Sequence, residues 1–215
     1  MPRTATTDTL AELVHRLGDV PLERIRTRPA PGTAKESHFL AALKRDGYPC
    51  ELVDGTLVEK PMGLKESQLA IWIAFHLNSY LARHAVGILT GADGAMRLMG
   101  GLIRVPDLAF IRASKLPKGV LPDEPLPDLA PCLAVEVLSA SNRPGEIKRK
   151  LKEYFLAGTE LVWIVEPKKR LVRVHSAPDV SVTRSDRESL DGADLLPGFV
   201  LPVAAIFDRI PPAGA

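Results

Sequence analysis

The stretch "CLAVEVLS", residues 132–139, constrains the fold more than any other in this chain. Its apolar residues do not alternate with polar ones, which is the pattern of a short strand covered on both faces, and such strands belong to sheets packed between helices. One residue breaks the run, Glu136. An ionised carboxylate in that setting is costly unless a cation or several donors meet it. The run "VPDLAFIRA" poses the same problem with Asp107. Two acids in two strands that both read as buried call for a common explanation.

The flanking elements read as an α/β chain. "DTLAELVHRLG" is a short helix capped by Asp8 or Thr9, and a Pro/Gly-rich connector follows it. "ESHFLAALKRDG" is a second helical piece, and "CELVDGTLVEK" is a tight hairpin turned at Asp54-Gly55. Leu69, Trp72, Ile73, Leu77, Tyr80 and Leu81 recur at helical spacing, so a long amphipathic helix is expected over 65–84. Strand segments broken by glycines come next, with a hairpin corner at Gly100-Gly101, and then a Pro-rich loop leads to the Glu136 strand. "EIKRKLKEYFLAG" is a helix ended by Gly158. "LVWIVEP" and "RLVRVHS" are strands joined by a basic turn, and "LLPGFVLPVAAIF" closes the chain as a strand with a helical turn. The order predicts a mixed central β-sheet flanked by helices, with both acids in central strands.

Composition removes several function classes. With 46% hydrophobic residues and 25% charged, 215 residues suffice for one sizeable core. Lys+Arg number 28 against 26 Asp+Glu, so net charge supplies no general attraction to nucleic acid, and any such binding must come from local patches. Cys50 and Cys132 fit no Cys/His ligand spacing, which leaves zinc and a disulfide framework unsupported and makes reduced thiols the expectation. No apolar leader and no run of about 18 apolar residues stands out. A cytoplasmic protein with no membrane partner is expected.

Two carboxylates converging from neighbouring strands can hold a divalent metal through hard oxygen ligands, and a nearby lysine can position or deprotonate a water or stabilise developing charge. If Asp107 and Glu136 share an ion, they must lie on adjacent strands and one face, with oxygens about 4–5 Å apart. The helix after Glu136 offers Lys148, Lys150 and Lys152. Ile147, Leu151, Tyr154 and Phe155 form its core face, with Lys150 on one rim and Lys148 on the other, and spacing alone does not choose between them. A structural reading of the same residues stands beside this one. Arg104 or Arg112 can satisfy Asp107, and Glu146 and Lys150 can form an exposed i,i+4 pair. His76, His84 and His175 fall at no motif position, and His76 reads as a helix-face residue.

A strand carrying "PD" followed by a strand carrying "EVL" resembles the PD-(D/E)-x-K nuclease superfamily, although Leu138 stands where the motif lysine would be. The longer string "EVLSASNRPGEIKRKLKEYFLAGTELVWIVEP" is similar to the Uma2 family of restriction endonucleases, in which that lysine moves to the following helix. The family's places are filled here by Glu136, Val137, Leu138, Ser139 and Ser141, then Glu146, Lys150 and Tyr154, then Ala157-Gly158 and Trp163 to Pro167. "ELVDGTLVEKPMG" and "LLPGFVLPVAAIF" extend the resemblance over residues 36–208. Glu146 and Glu166 replace the usual aspartates, and Ser67 stands where the family often has histidine.

The resemblance implies a restriction-endonuclease-like core over residues 36–210, preceded by an N-terminal arm with a short helix over 1–35. It implies Mg²⁺, with Mn²⁺ able to substitute, held by Asp107, Glu136 and the Val137 carbonyl. Lys150 is then the catalytic lysine and DNA the substrate. Glu51, Glu59, Glu146 and Tyr154 are the candidate accessory residues. Lys150→Ala is expected to leave folding nearly intact. Cutting both strands of a duplex from one site per chain is simplest in a homodimer. The competing expectation is a nuclease-fold protein without activity that binds nucleic acid or a protein partner.

Overall fold

A computed structural model describes residues 9–46, 50–61 and 63–208. The first helix, α1 (Leu10–Arg16), is capped by Thr9, whose hydroxyl accepts from the Glu12 N–H at 3.2 Å while the Glu12 carboxylate accepts from the Thr9 N–H at 3.0 Å. The alternative cap, Asp8, lies outside the described residues. After α2 (Glu36–Asp46) come β1 (Cys50–Val53) and β2 (Thr56–Glu59). They are joined as the Asp-Gly dipeptide predicts, with positive φ at both Asp54 (+47°) and Gly55 (+66°). The long helix α3 (Leu64–Leu81) leads to β3 (Gly87–Thr90), β4 (Met96–Met99), β5 (Leu102–Arg104) and β6 (Leu108–Arg112). Gly101, at φ +78°, makes the corner between β4 and β5. The chain continues through β7 (Leu133–Val137), α4 (Pro144–Leu156), β8 (Leu161–Glu166), β9 (Leu171–Ala177), β10 (Val180–Ser185), β11 (Ser189–Gly192), β12 (Leu196–Pro202) and α5 (Val203–Phe207).

Among these residues the strands divide into a six-stranded sheet of order β10-β9-β8-β7-β6-β3, a four-stranded sheet of order β2-β1-β5-β4, and the β11-β12 ribbon. The larger sheet is mixed: β7 and β8 run parallel, joined by the α4 crossover, and its other pairs are antiparallel. All five residues of β7 are buried, as its unbroken apolar run requires. Its side chains alternate between two cores. Leu133, Val135 and Val137 pack with Leu69, Ile73 and Leu77 of α3 and with Phe199 and Phe207 near the C-terminus. Ala134 packs on the opposite face with Ile147, Leu151 and Tyr154 of α4, Leu13 and Leu17 of α1, and Val53 and Val58 of the first hairpin. Glu136, two residues after Ala134, therefore points toward α4 and the hairpin. A third cluster, built on Phe39, Cys50, Leu52, Leu57 and Ile103, lies between the smaller sheet and α2.

Two sequence expectations change. The glycine-broken strands do not all join one sheet, because β4 and β5 fold onto the β1-β2 hairpin. β10 and β11 come from "DVSVTRSDRESLDG", in which apolar alternation is confined to Val180 and Val182. β10 is an edge strand with Val180 and Val182 exposed, so burial leaves little mark on its sequence.

The end of α1 rests against the first turn of α4. Gly18 has φ +86°, and a Cβ there would stand 2.4 Å from the backbone of Gly145 and Glu146. Gly18→Ala combines a left-handed backbone with a backbone overlap, so it is expected to lower unfolding free energy by about 2 kcal/mol or more, read by urea denaturation.

Candidate active site

Leu108 pairs with Val135 in the antiparallel β6-β7 ladder, and the Asp107 N–H donates to the Val135 carbonyl at 3.0 Å. Asp107 immediately precedes this ladder, and its carboxylate meets the N–H of Val137, the residue after Glu136. Asp107 is not inside the strand as its sequence suggests. It occupies the bend before β6, with its side chain 17% exposed, so it forms the solvent side of the pair. One carboxylate oxygen, Oδ2, accepts the Val137 N–H at 2.7 Å, and the other, Oδ1, lies 2.8 Å from Lys60 Nζ. Neither Arg104 nor Arg112 is its partner. Arg112 reaches Glu160 and the Asp194 carbonyl instead.

Glu136 is buried and lies beneath α4. Lys150 Nζ donates to both of its oxygens at 3.1 and 3.0 Å, and the Tyr154 hydroxyl donates to Oε1 at 2.6 Å. Lys150 and Tyr154 are four apart, one helical turn, so they reach the same carboxylate side by side. Lys148 and Lys152 point to solvent. The i,i+4 partner proposed for Lys150 is occupied elsewhere: Glu146 receives two bonds from Arg24, at 3.0 and 2.7 Å, and one from the Asn142 amide at 3.2 Å.

The hairpin supplies the third acid. Its two-residue turn pairs Glu51 with Val58 and Cys50 with Glu59, which sends the two glutamates to opposite faces. Glu51 is 1% exposed and sits 3.0 Å from Lys150 Nζ. Arg104 donates to it at 2.5 Å, and the Val105 N–H at 3.3 Å. The rest of the Arg104 guanidinium bonds to Glu153 of α4. Glu59 is half exposed and paired with Arg26 at 3.2 Å, outside this cluster.

One lysine acts differently on its two acids. Burial pushes the Glu51 carboxyl up, but Lys150, Arg104 and Lys60 outweigh it and hold Glu51 down at about 2. Burial also pushes Glu136 up, and there Asp107 and Glu51 add repulsion, so its carboxyl stays above the ordinary range despite Lys150. Burial depresses Lys150, yet Glu136 and Glu51 more than compensate and keep it an ammonium well beyond neutral pH. Tyr154 is pushed up by burial and by the same two acids, so it stays a hydroxyl donor.

Lys60, Arg104 and Glu153 were not singled out for the site from sequence, and Glu51 was one of two hairpin candidates. The Asp-Gly register separates Glu51 from Glu59. Lys60 carries no such signal, since a lysine after a hairpin reads as solvated. The expectation that Lys150→Ala leaves folding intact also changes, because Lys150 is 2% exposed between two carboxylates, and removing one partner of a buried ion pair costs about 3–5 kcal/mol.

The mixed sheet flanked by helices defines an α/β protein, with Glu136 on a central strand, Asp107 at the bend before the neighbouring strand and Lys150 bonded to Glu136. The sequence matches the family profile "Putative restriction endonuclease", Uma2, over residues 36–204, and the chain belongs to that family. The fold is similar to a crystal structure from Anabaena variabilis ATCC 29413 described as "a putative nuclease belonging to DUF820". That likeness has a TM-score of 0.69 at 17% identity, covering 79% of this chain and 95% of the other. No curated protein matches. No helix among the described residues is long and apolar enough to cross a membrane.

The low position of Glu51 gives a sign to its effect on stability. A carboxyl held at about 2 when folded, against 4.5 ordinarily, adds stability above pH 4.5 that is lost as pH falls toward 2. Glu136, raised in the fold, acts oppositely, its contribution fading as pH rises through its folded value. Glu51→Gln is therefore expected to be less stable at pH 7 but to lose less further stability between pH 5 and 2, followed by thermal melting.

Proposed function

We propose that the chain is a metal-dependent endonuclease that hydrolyses DNA phosphodiesters, with Asp107, Glu136 and Lys150 at its centre. The observation that carries this reading is the meeting of Asp107, bonded to the Val137 N–H at the end of β7, with the adjacent Glu136, whose two oxygens both accept from Lys150. The donor set suits a hard divalent cation. Three carboxylates, Glu51, Asp107 and Glu136, meet within one ion-pair network with Lys60, Lys150 and Arg104, and carboxylate oxygen is the ligand type that Mg²⁺ and Mn²⁺ take. Asp107 and Glu136 would hold Mg²⁺ or Mn²⁺ with a main-chain donor, the Val137 carbonyl, and with water in the other positions, since among the described residues no three His, Cys, Asp or Glu side chains group as a metal site. Such an ion supplies activation of water and stabilisation of phosphoryl charge.

The chain's own groups have separable tasks. Lys150, fixed as an ammonium by Glu51 and Glu136, is unsuited to removing a proton and suited to stabilising negative charge that develops at phosphorus. Tyr154 and Lys150 orient the Glu136 carboxylate, and the Val137 N–H orients that of Asp107. Glu51 holds Lys150 in place from the hairpin side. Acting on both strands of a duplex would be served by a two-fold homodimer.

The test is plasmid cleavage with Mg²⁺ or Mn²⁺. Wild type is expected to convert supercoiled DNA to nicked and linear forms, and Asp107→Asn and Glu136→Gln to slow this about 10²-fold or more while remaining folded by circular dichroism. Lys148→Ala and Lys152→Ala are expected to change only the salt dependence of binding. Equal cleavage by wild type and Asp107→Asn would overturn the assignment, and binding without cleavage would favour a DNA-binding role.

A further inference from the structure

Lys60 has no task in the reaction just described, yet it is the cation nearest Asp107. Its side chain is 5% exposed, and its ammonium lies 2.8 Å from Asp107 Oδ1. The contact is electrostatic without hydrogen-bond alignment, and the buried nitrogen has no aligned acceptor among the described residues. A buried ammonium normally directs its three N–H groups at acceptors. Lys60 is held in the site by charge and not by directed bonds.

The two lysines of the cluster therefore differ. Lys150 touches three oxygens on two carboxylates that are almost wholly buried. Lys60 is paired with one oxygen of the acid on the solvent side. Of the two, Lys60 is the ammonium that can leave with least loss of bonding. Asp107 Oδ2 is already committed to the Val137 N–H, so Oδ1 is the oxygen with capacity for an ion, and Lys60 stands against it.

We propose that Lys60 is a resident cation that substitutes for the divalent ion at Asp107 in the metal-free protein and withdraws to solvent when the ion binds. This rests on the metal reading above. In the metal-free state Lys60 offsets the repulsion between the carboxylates of Asp107 and Glu136, and it thereby sets the affinity of the site. Competition of this kind makes the protein weaker in metal binding than its oxygen donors alone would be, and makes Lys60 more accessible once metal is bound.

Two measurements on the full chain test this. Mn²⁺ binding is followed by electron paramagnetic resonance of the free ion in wild type, Lys60→Met, Lys60→Gln and Asp107→Asn. Wild type is expected to bind, Asp107→Asn to lose binding, and the two Lys60 variants to bind about tenfold tighter, the consequence of removing one opposing charge beside the ion. Acetylation of wild-type lysines, read by mass spectrometry, is expected to rise several-fold at Lys60 on saturation with Mn²⁺ while Lys150 stays protected. Because it uses wild type, this second measurement decides the matter if the Lys60 variants fail to fold. Wild type that binds Mn²⁺ with unchanged Lys60 labelling, or folded Lys60 variants that bind no tighter, would overturn the role of Lys60 and leave the metal reading intact. No Mn²⁺ binding by folded wild type would overturn both.

Discussion

Glu51 is a carboxylate with almost no contact with water, and the arrangement of the site depends on how it is neutralised. It is shared by Lys150 of α4 and Arg104 of β5, and Arg104 continues to Glu153, one turn along α4 from Arg149. These bonds tie the smaller sheet to the helix that covers the larger one. The apolar cluster between them, Val53 and Val58 against Ile147 and Leu151, would tolerate a small slide, whereas the ion pairs would not. Buried ion pairs seldom add net stability over apolar packing of equal volume. Their effect here is positional: they fix where the Lys150 ammonium stands over Glu136.

The same network sets two acids to opposite ends of the carboxyl range. Glu51 is met by both Lys150 and Arg104 and stays ionised, while Glu136 has Lys150 alone as a bonded cation, faces two other carboxylates and holds protons more tightly. Tyr154 and Lys150 keep Glu136 in one orientation, with both of its oxygens engaged from the α4 side. The N-terminal segment contributes from outside the matched family region: Arg24 secures Glu146 at the start of α4, and Gly18 lets α1 approach that turn closely.

Much of this was legible in the sequence because burial leaves strong marks. The unbroken run of β7, the Asp-Gly turn and the apolar face of α4 each follow from a single physical requirement and place Glu136 in the core beneath α4, while the choice of Lys150 over Lys148 came from the family resemblance. Asp107 was recognisable as an acid at a buried strand, though not as the residue at its mouth. What stayed hidden depends on pairings between distant segments. Nothing local distinguishes Lys60 from a solvated lysine, or directs Arg104 to Glu51 and not to Asp107. Arg24 and Glu146 are 122 residues apart, so their bond appears only once the turn that follows α1 is placed on the start of α4. The edge strand β10 was missed for the complementary reason, since an exposed strand has no buried face to set its pattern.

The central claim is that Asp107 and Glu136 form a cation site with Lys60 as its resident occupant. A crystal structure of the protein soaked in Mn²⁺, with data collected at the manganese absorption edge, tests it most directly. The account predicts an anomalous peak between the two carboxylates, with the Lys60 ammonium moved away from Asp107 and Lys150 still bonded to Glu136. Anomalous density elsewhere, with Lys60 still 2.8 Å from Asp107 Oδ1, would contradict it.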